Sequence, residues 1–283
     1  MKLVRYGSLG LEKPGMIDAS GRLRDISRIV NDIHPEHLND VALGLIRDAD
    51  PESFPLIVGP CRFGPPLSRI GKFLAIGLNY SDHAIESNMP IPAEPVLFSK
   101  AVSCIVGAND DVMMPMDATK LDWEVELGIV IGTTARYVAK ADALNFVAGY
   151  CVINDVSERA FQFERGPTWD KGKGCDTFGP IGPWLVTRDE VPDAQCLSLW
   201  LEVNGQRMQD GNTRTMIFTV PEIVSYVSRF LTLQPGDIIS TGTPPGVGLG
   251  IKPTPQFLKA GDVMRLGIDG LGIQQQTVIE FKK

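Results

Sequence analysis

The feature that most constrains this chain is a pair of glutamates placed just before an apolar run. Glu124 and Glu126 precede residues 127–131, which read Leu-Gly-Ile-Val-Ile. Because side chains alternate between the two faces of a β-strand, a strand here would set the two carboxylates side by side. Like charges on one face repel each other unless solvent or a cation relieves them. The pair therefore predicts either a solvated sheet face or a site for a hard cation such as Mg²⁺.

A third carboxylate favours the cation. Asp155 closes a second apolar run, which begins at Cys151 and ends at Asn154. Mg²⁺ takes oxygen ligands and keeps several waters, so three carboxylates would leave positions for an anionic substrate. We therefore expect a metal site made of Glu124, Glu126 and Asp155.

Composition indicates a β-rich α+β protein. The 29 glycines and 21 prolines among 283 residues imply many turns, and the strand-like runs between them argue against a helical bundle. A content of 43% hydrophobic and 22% charged residues argues against disorder and coiled coils. The proline-rich stretch 59–66 is typical of a linker. It predicts a small N-terminal α+β domain over residues 1–68 and a larger domain over residues 69–283.

Charge and cysteine content narrow the class of protein. A formal net charge of −7 argues against nucleic-acid binding but is compatible with a small anionic substrate. The five cysteines are scattered and form no Cys-x-x-Cys pair, which favours reduced thiols and a cytoplasmic location. The N-terminus has no apolar signal core, and no apolar run reaches about eighteen residues. We expect neither export nor a membrane span.

Several polar side chains are candidates for chemistry. His83 and Glu86 would be neighbours on a helix that follows the apolar strand 72–78, as a base and the carboxylate that orients it. Arg159 and Gln162 have the same spacing just beyond Asp155. Lysines of the glycine-rich stretch 166–174, which we expect to be irregular, and a threonine of a tight turn complete the set: Lys171, Lys173 and Thr243. Each has a plainer interpretation, as a surface charge, a structural ion pair or a turn residue.

The ordered set of motifs resembles the fumarylacetoacetate hydrolase family over residues 70–283. The motifs are Gly77-Leu78-Asn79-Tyr80 with His83 and Glu86, Pro95-Val96-Leu97-Phe98, Glu124-Val125-Glu126-Leu127-Gly128, Asp155 with Arg159 and Gln162, and Ser240-Thr241-Gly242-Thr243-Pro244. The resemblance implies a mixed β-roll with peripheral helices, preceded by the small N-terminal domain. It also implies a homodimer and a Mg²⁺ or Mn²⁺ ion held by Glu124, Glu126 and Asp155.

The resemblance also implies roles for the other candidates. His83 with Glu86 would activate water, and Lys173, chosen over Lys171 by its spacing from Trp169, would stabilise developing negative charge. Arg159, Gln162 and Thr243 would position the substrate. Residues 83–92 would form a lid over it.

Three functions remain open from the sequence. The first is hydrolysis of a carbon–carbon bond in an acylpyruvate or another 2,4-dioxo acid, sugar-acid derivatives included, to release a 2-oxo acid. The second keeps the metal but performs lyase, decarboxylase or tautomerase chemistry on a small 2-oxo acid or on ureidoglycolate. The third is a binding protein without activity, which the chemically competent residues disfavour.

Overall fold

A computed structural model describes residues 1–86 and 90–281 of the chain. The described residues form seventeen strands: β1 Lys2–Tyr6, β2 Lys13–Ile17, β3 Leu23–Asp25, β4 Phe73–Gly77, β5 Val96–Lys100, β6 Ile105–Gly107, β7 Val112–Met113, β8 Leu121–Asp122, β9 Val125–Ile131, β10 Val147–Asn154, β11 Ser157–Glu158, β12 Gly179–Thr187, β13 Ser198–Val203, β14 Gln206–Asn212, β15 Ile238–Ser240, β16 Val263–Ile268 and β17 Gly272–Ile279.

The helices are short and lie between the strands. The α-helices are α1 Asp40–Arg47, α2 Ser81–Glu86, α3 Arg159–Phe163, α4 Asp170–Lys173 and α5 Val220–Val227. Single 3₁₀ turns or short 3₁₀ helices occupy Pro35–His37, Pro51–Ser53, Val102–Cys104, Lys140–Phe146, Arg188–Glu190, Thr213–Thr215 and Gly248–Gly250. In the part of the chain that the structure describes, no helix has the length and apolar character needed to cross a membrane.

A mixed ten-stranded sheet carries the site. Nine strands follow the order β3-β2-β1-β12-β10-β9-β15-β4-β5, and β6 pairs in parallel with β12. Every residue of β9 and β10 is buried, as expected for apolar runs covered on both faces. These two strands pair antiparallel, so that Asn154, at the end of β10, lies opposite Val125, at the start of β9. The register brings Asp155 beside the glutamates.

A second sheet covers the first. Its five strands follow the order β14-β13-β16-β17-β7, and β13 and β14 form the hairpin that the Asn204-Gly205 dipeptide predicts. Leucines of β13 and β16 belong to the same apolar core as those of β9. The short strands β8 and β11 form a separate pair beside this core. The expected α+β class is confirmed.

Two local predictions are wrong. The strand expected through Glu124 is broken, because β8 ends at Asp122 and β9 begins at Val125. At the break, side-chain amides replace strand partners: Asn154 accepts the backbone N–H of Glu124 at 3.2 Å, and Gln209 accepts that of Val125, the first residue of β9, at 3.0 Å. The stretch expected to be irregular around Lys173 contains α4, a single helical turn.

The N-terminal residues extend the main sheet. Strand β1 pairs with β12 through Lys2–Val186 and Leu3–Leu185, so β1, β2 and β3 lie at one edge of the sheet that holds the site. The domain boundary expected near residue 68 stays a prediction.

Candidate active site

Three buried carboxylates meet where β9 begins and β10 ends. Glu124, Glu126 and Asp155 each offer an oxygen atom, and these atoms lie within 4.8 Å of one another. The backbone N–H of Asp155 donates to the carbonyl of Glu124 at 2.9 Å, which continues the pairing of the two strands past their ends. The tertiary fold therefore brings together the three residues that the sequence nominated as metal ligands.

Glu124 is stabilised as an anion by two cations. Its carboxylate accepts from the Lys173 Nζ at 2.6 Å and from the Arg159 Nη2 at 2.6 Å. Burial raises the pKa of Glu124, but Arg159 and Lys173 outweigh that effect and hold it at about 2. The pKa of Lys173 is lowered by burial and raised by Asp155 and Glu124, and the rise prevails. Both groups are charged at neutral pH.

Glu126 has hydrogen-bond donors but forms no ion pair among the described residues. Its Oε2 accepts from the hydroxyl of Ser240 at 2.6 Å and from the backbone N–H of Gly242 at 2.7 Å. Burial, with Asp155 and Glu124 close by, raises the pKa of Glu126 well above its ordinary value. Lys173 opposes this rise without outweighing it, and a bound divalent cation would stabilise the ionised carboxylate further.

The donor set fits a hard divalent cation. All three candidate ligands are carboxylates, which suit Mg²⁺ and Mn²⁺, and no sulfur or imidazole belongs to the group. Within the cluster, Lys173 lies between Glu124 and Asp155 and donates to the latter at 2.7 Å. The chemistry of the triad fits a divalent metal ion.

Asp155 is fixed by a lysine that the sequence analysis did not single out. Lys100, at the end of β5, is buried and donates to the Asp155 Oδ1 at 2.5 Å. The same ammonium group donates to the backbone carbonyls of Val156 and Lys173. One side chain thus holds both a candidate metal ligand and the backbone of the candidate catalytic lysine.

Arg159 spans a buried network. Its Nε donates to Asp122 at 2.8 Å, and its Nη1 donates to the side-chain carbonyl of Gln162 at 3.0 Å. Asp122, also absent from the sequence-based set, accepts the backbone N–H groups of Gly248 and Leu249 at 2.6 and 3.0 Å. Arg159 therefore forms structural ion pairs with Asp122 and Glu124.

The expected His83–Glu86 pair forms on α2. The Nδ1 of His83 lies 3.1 Å from the Oε2 of Glu86, and His83 is 8% exposed. Both oxygens of Glu86 accept the backbone N–H of Gly246, at 3.1 and 3.2 Å. Because a carboxylate can only accept, Nδ1 carries the proton, and Nε2 is left as the basic nitrogen. The lid expected over residues 83–92 includes residues 87–89, which lie outside the described residues.

All nine residues nominated for the site line one cavity of about 390 Å³. They are His83, Glu86, Glu124, Glu126, Asp155, Arg159, Gln162, Lys173 and Thr243. Lys171 is not among the lining residues; it is exposed and donates to the carbonyl of Arg165. The geometry therefore favours Lys173 over Lys171, as did the spacing from Trp169. The catalytic roles of these residues stay predictions.

Thr243 lines the cavity, but its hydroxyl proton is already donated to a hydrogen bond within the protein. Its Oγ1 donates to the carbonyl of Val125 at 2.9 Å and accepts from Gln209 at 2.8 Å. A hydroxyl has one donor and two acceptor positions, so Thr243 retains only acceptor capacity toward a ligand. Its expected substrate contact is restricted to that capacity and to its methyl group.

Aromatic side chains form the apolar wall of the cavity. Trp169 meets Phe98 and Phe163 edge to face, with ring centroids 5.2 and 6.1 Å apart. Gly77 lies against the same indole, where a Cβ would come within 2.5 Å of it. The wall, Lys100 and Asp122 carry only weak sequence signals, since none of these residues belongs to a spaced pair of polar residues such as His83 and Glu86.

Comparison with known proteins identifies the family. A family model described as fumarylacetoacetate (FAA) hydrolase C-terminal matches residues 72–279. A Burkholderia ambifaria protein that is provisionally named a hydrolase is 62% identical to this chain over 277 residues, which cover 98% of each protein.

Solved structures of similar proteins agree. Fumarylacetoacetate hydrolase from Exiguobacterium antarcticum superimposes with a TM-score of 0.89 at 37% identity, covering 99% of this chain and 100% of that one. Maleylpyruvate hydrolase from Sphingobium, in complex with manganese(II) and pyruvate, superimposes with a TM-score of 0.82 at 29% identity, covering 100% of both chains. A 5-carboxymethyl-2-hydroxymuconate delta-isomerase from Mycobacterium smegmatis superimposes with a TM-score of 0.78 at 31% identity, also covering 100% of both chains. The chain therefore belongs to the fumarylacetoacetate hydrolase family and has its mixed β-roll fold.

Proposed function

We propose that this protein is a divalent-metal-dependent hydrolase that cleaves a carbon–carbon bond in an acylpyruvate or another 2,4-dioxo acid and releases a 2-oxo acid. One observation carries the proposal: the carboxylate triad and the His83–Glu86 pair line the same cavity. A metal site alone would suit many reactions, but a site with an oriented base beside it suits the activation of water.

Glu124, Glu126 and Asp155 would hold Mg²⁺ or Mn²⁺. When bound, such an ion supplies a Lewis acid for the oxygens of a 2-oxo acid. The manganese and pyruvate in the Sphingobium neighbour support both the ion and the class of ligand. Arg159 and Gln162 line the same floor, and the Gln162 amide nitrogen has no hydrogen-bond partner among the described residues, so that it is available to a substrate oxygen.

His83 acts as the base. Its Nε2 takes a proton from water while the water oxygen adds to the acyl carbonyl carbon, and Glu86 stabilises the imidazolium that forms. Two backbone bonds from Gly246 keep Glu86 in place for this role. The ring therefore needs no reorientation when it accepts the proton.

Collapse of the hydrated carbonyl breaks the bond to the methylene carbon. The bonding electron pair leaves as the enolate of the 2-oxo acid, and the acyl part leaves as a carboxylic acid. Lys173 stabilises the developing negative charge, since its buried ammonium is charged and its neighbours hold it beside the triad. Return of the proton from His83 to the methylene carbon completes the 2-oxo acid.

The substitution His83→Ala tests this assignment. We expect turnover of an acylpyruvate to fall by about 10²–10⁴-fold, because the general base is removed. Binding of Mn²⁺, measured by isothermal titration calorimetry, should be unchanged, since His83 is not among the candidate ligands.

A histidine away from the cavity provides the matched control. His37 bonds the backbone carbonyl of Asp32 and does not line the cavity, so His37→Ala should keep full activity. Turnover that survives in His83→Ala would refute the role of the base. Absence of turnover by the wild-type protein across a panel of acylpyruvates and 2,4-dioxo sugar acids, with or without chelator, would refute the hydrolase.

A second candidate is tautomerase, lyase or decarboxylase chemistry at the same site. The isomerase from Mycobacterium smegmatis supports it, because that neighbour shares the fold and is named for a reaction without an attacking water. Product analysis separates the two candidates. Hydrolysis yields two acids from each acylpyruvate. An isomerase yields a single organic acid, as does a decarboxylase tested with oxaloacetate. A lyase splits ureidoglycolate.

A further inference from the structure

Among the described residues, three lysine or arginine side chains line the cavity, and two of them are paired with carboxylates. Arg159 binds Asp122 and Glu124, and Lys173 binds Glu124 and Asp155. Lys252 lines the same cavity but forms neither an ion pair nor a side-chain hydrogen bond within residues 1–86 and 90–281. The charge of Lys252 is thus available to a ligand, whereas the charges of the other two are compensated by the chain.

Lys252 lies at a solvent-exposed part of the cavity lining. The triad carboxylates are at most 6% exposed, while Lys252 is an exposed residue just after the 3₁₀ turn Gly248–Gly250. The lining residues at this outer part include Phe163 and Leu249, which are 52% and 37% exposed. The cavity lining therefore combines buried oxygen ligands, an apolar wall and, among the described residues, one exposed lysine whose charge is unpaired.

This combination of buried oxygen ligands, an apolar wall and an exposed cation fits an elongated ligand. We propose that Lys252 is a specificity-determining residue that binds an anionic group at the far end of the acyl tail, so that the preferred substrate is a 2-oxo acid with a second carboxylate. The inference rests on the proposed function, because that function assigns the 2-oxo acid group to the triad. An uncharged tail meets the apolar wall alone, whereas a carboxylate tail gains an ion pair as well.

Binding of stable 2-oxo acids tests the inference without turnover. The probes are 2-oxoadipate and 2-oxohexanoate, which have the same number of carbons and differ in whether the tail ends in a carboxylate or a methyl group. The shorter pair 2-oxoglutarate and 2-oxopentanoate tests a shorter distance between the 2-oxo acid group and the end of the tail. Isothermal titration calorimetry of the Mn²⁺-loaded full-length protein should give a dicarboxylate of at least one pair about fivefold tighter binding than its uncharged partner.

Lys252→Met should abolish this preference while leaving the affinity for the uncharged partner unchanged. Lys259→Met is the matched control, since Lys259 is exposed on the same segment but does not line the cavity, and the preference should persist there. In the wild type the preference should also shrink as ionic strength rises, because exposed charges are screened. A purely structural lysine would not produce that salt dependence.

The outcomes distinguish a failure of the role of Lys252 from a failure of the hydrolase function. Equal binding of charged and uncharged partners by the wild-type protein overturns the role of Lys252 and leaves the hydrolase proposal standing. A preference that survives in Lys252→Met also overturns it. If no 2-oxo acid binds the Mn²⁺-loaded protein, the proposed function itself fails, and the role of Lys252 fails with it.

Discussion

At the scale of single residues, the site is a cluster of buried charges that stabilise one another. Asp122, Glu124 and Asp155 are all compensated by Arg159, Lys173 or Lys100. Burying such groups is costly, and the cost is offset only while every partner is present. Loss of one buried partner should therefore affect the protein far more than loss of a surface charge.

Lys100→Met should lower the free energy of unfolding by about 3–5 kcal/mol, because the buried Asp155 loses its nearest cation. Chemical denaturation measures this difference. We also expect Mn²⁺ to raise the Tm of the variant more than that of the wild type, since a bound divalent cation compensates the carboxylate that Lys100 leaves behind.

An exposed lysine provides the comparison for Lys100. Lys140 pairs with Glu222 at 2.6 Å, and its side chain is 59% exposed. Lys140→Met should change the free energy of unfolding by less than about 1 kcal/mol. Equal losses in the two variants would contradict the importance of the buried network.

At the scale of elements, one loop organises three carboxylates. The segment that follows β15 donates backbone N–H groups to Glu126 from Gly242, to Glu86 from Gly246 and to Asp122 from Gly248 and Leu249. Glycine is required at position 246, where φ is +101° and a Cβ would lie 1.9 Å from the carbonyl oxygen of Met208. The conformation of this loop therefore sets the positions of side chains from three other elements.

Gly246→Ala should destabilise the protein by about 2–4 kcal/mol, because the backbone must move to accept a Cβ. The displaced N–H no longer holds Glu86, so we expect kcat to fall at least about tenfold. Thermal unfolding and steady-state kinetics on the same preparation measure both effects.

Gly205→Ala separates backbone strain from damage to the site. Gly205 has a φ of +79° in the β13–β14 turn, and a Cβ there would meet nothing within 4 Å. We expect a loss of about 1–2 kcal/mol and an unchanged kcat. A kcat that stays at the wild-type value in Gly246→Ala would show that the loop does not position Glu86.

At the scale of the whole molecule, the N-terminal strands and the site share one sheet. Strand β1 pairs with β12, and β12 pairs with β10, whose end positions Asp155. The association of two such chains into a homodimer remains our expectation from the family resemblance.

Light scattering coupled to size-exclusion chromatography tests the dimer. We expect a mass twice that of the 30.9 kDa chain, independent of concentration across the micromolar range. The mass of a single chain under these conditions would contradict the expectation. A chelator-treated sample serves as the control for any effect of bound metal on association.

Local chemistry made much of the site predictable from the sequence. Carboxylates next to apolar runs need compensation wherever they fold, so Glu124, Glu126 and Asp155 could be nominated from their neighbours alone. Because residues three apart are neighbours on a helix, the spacing of His83 and Glu86 predicted their contact. The Asn204-Gly205 turn predicted its hairpin for a similar reason, since the turn geometry depends on those two residues.

Only the tertiary structure decided which distant residues complete these local features. Lys100 is 55 residues from Asp155 along the chain, and Gln209 is 84 residues from Val125, whose N–H it accepts at the start of β9. No periodicity predicts such contacts, because they depend on how strands from remote parts of the chain meet in the sheets. The sequence determined which charges needed partners, and the packing of the two sheets determined which partners they received.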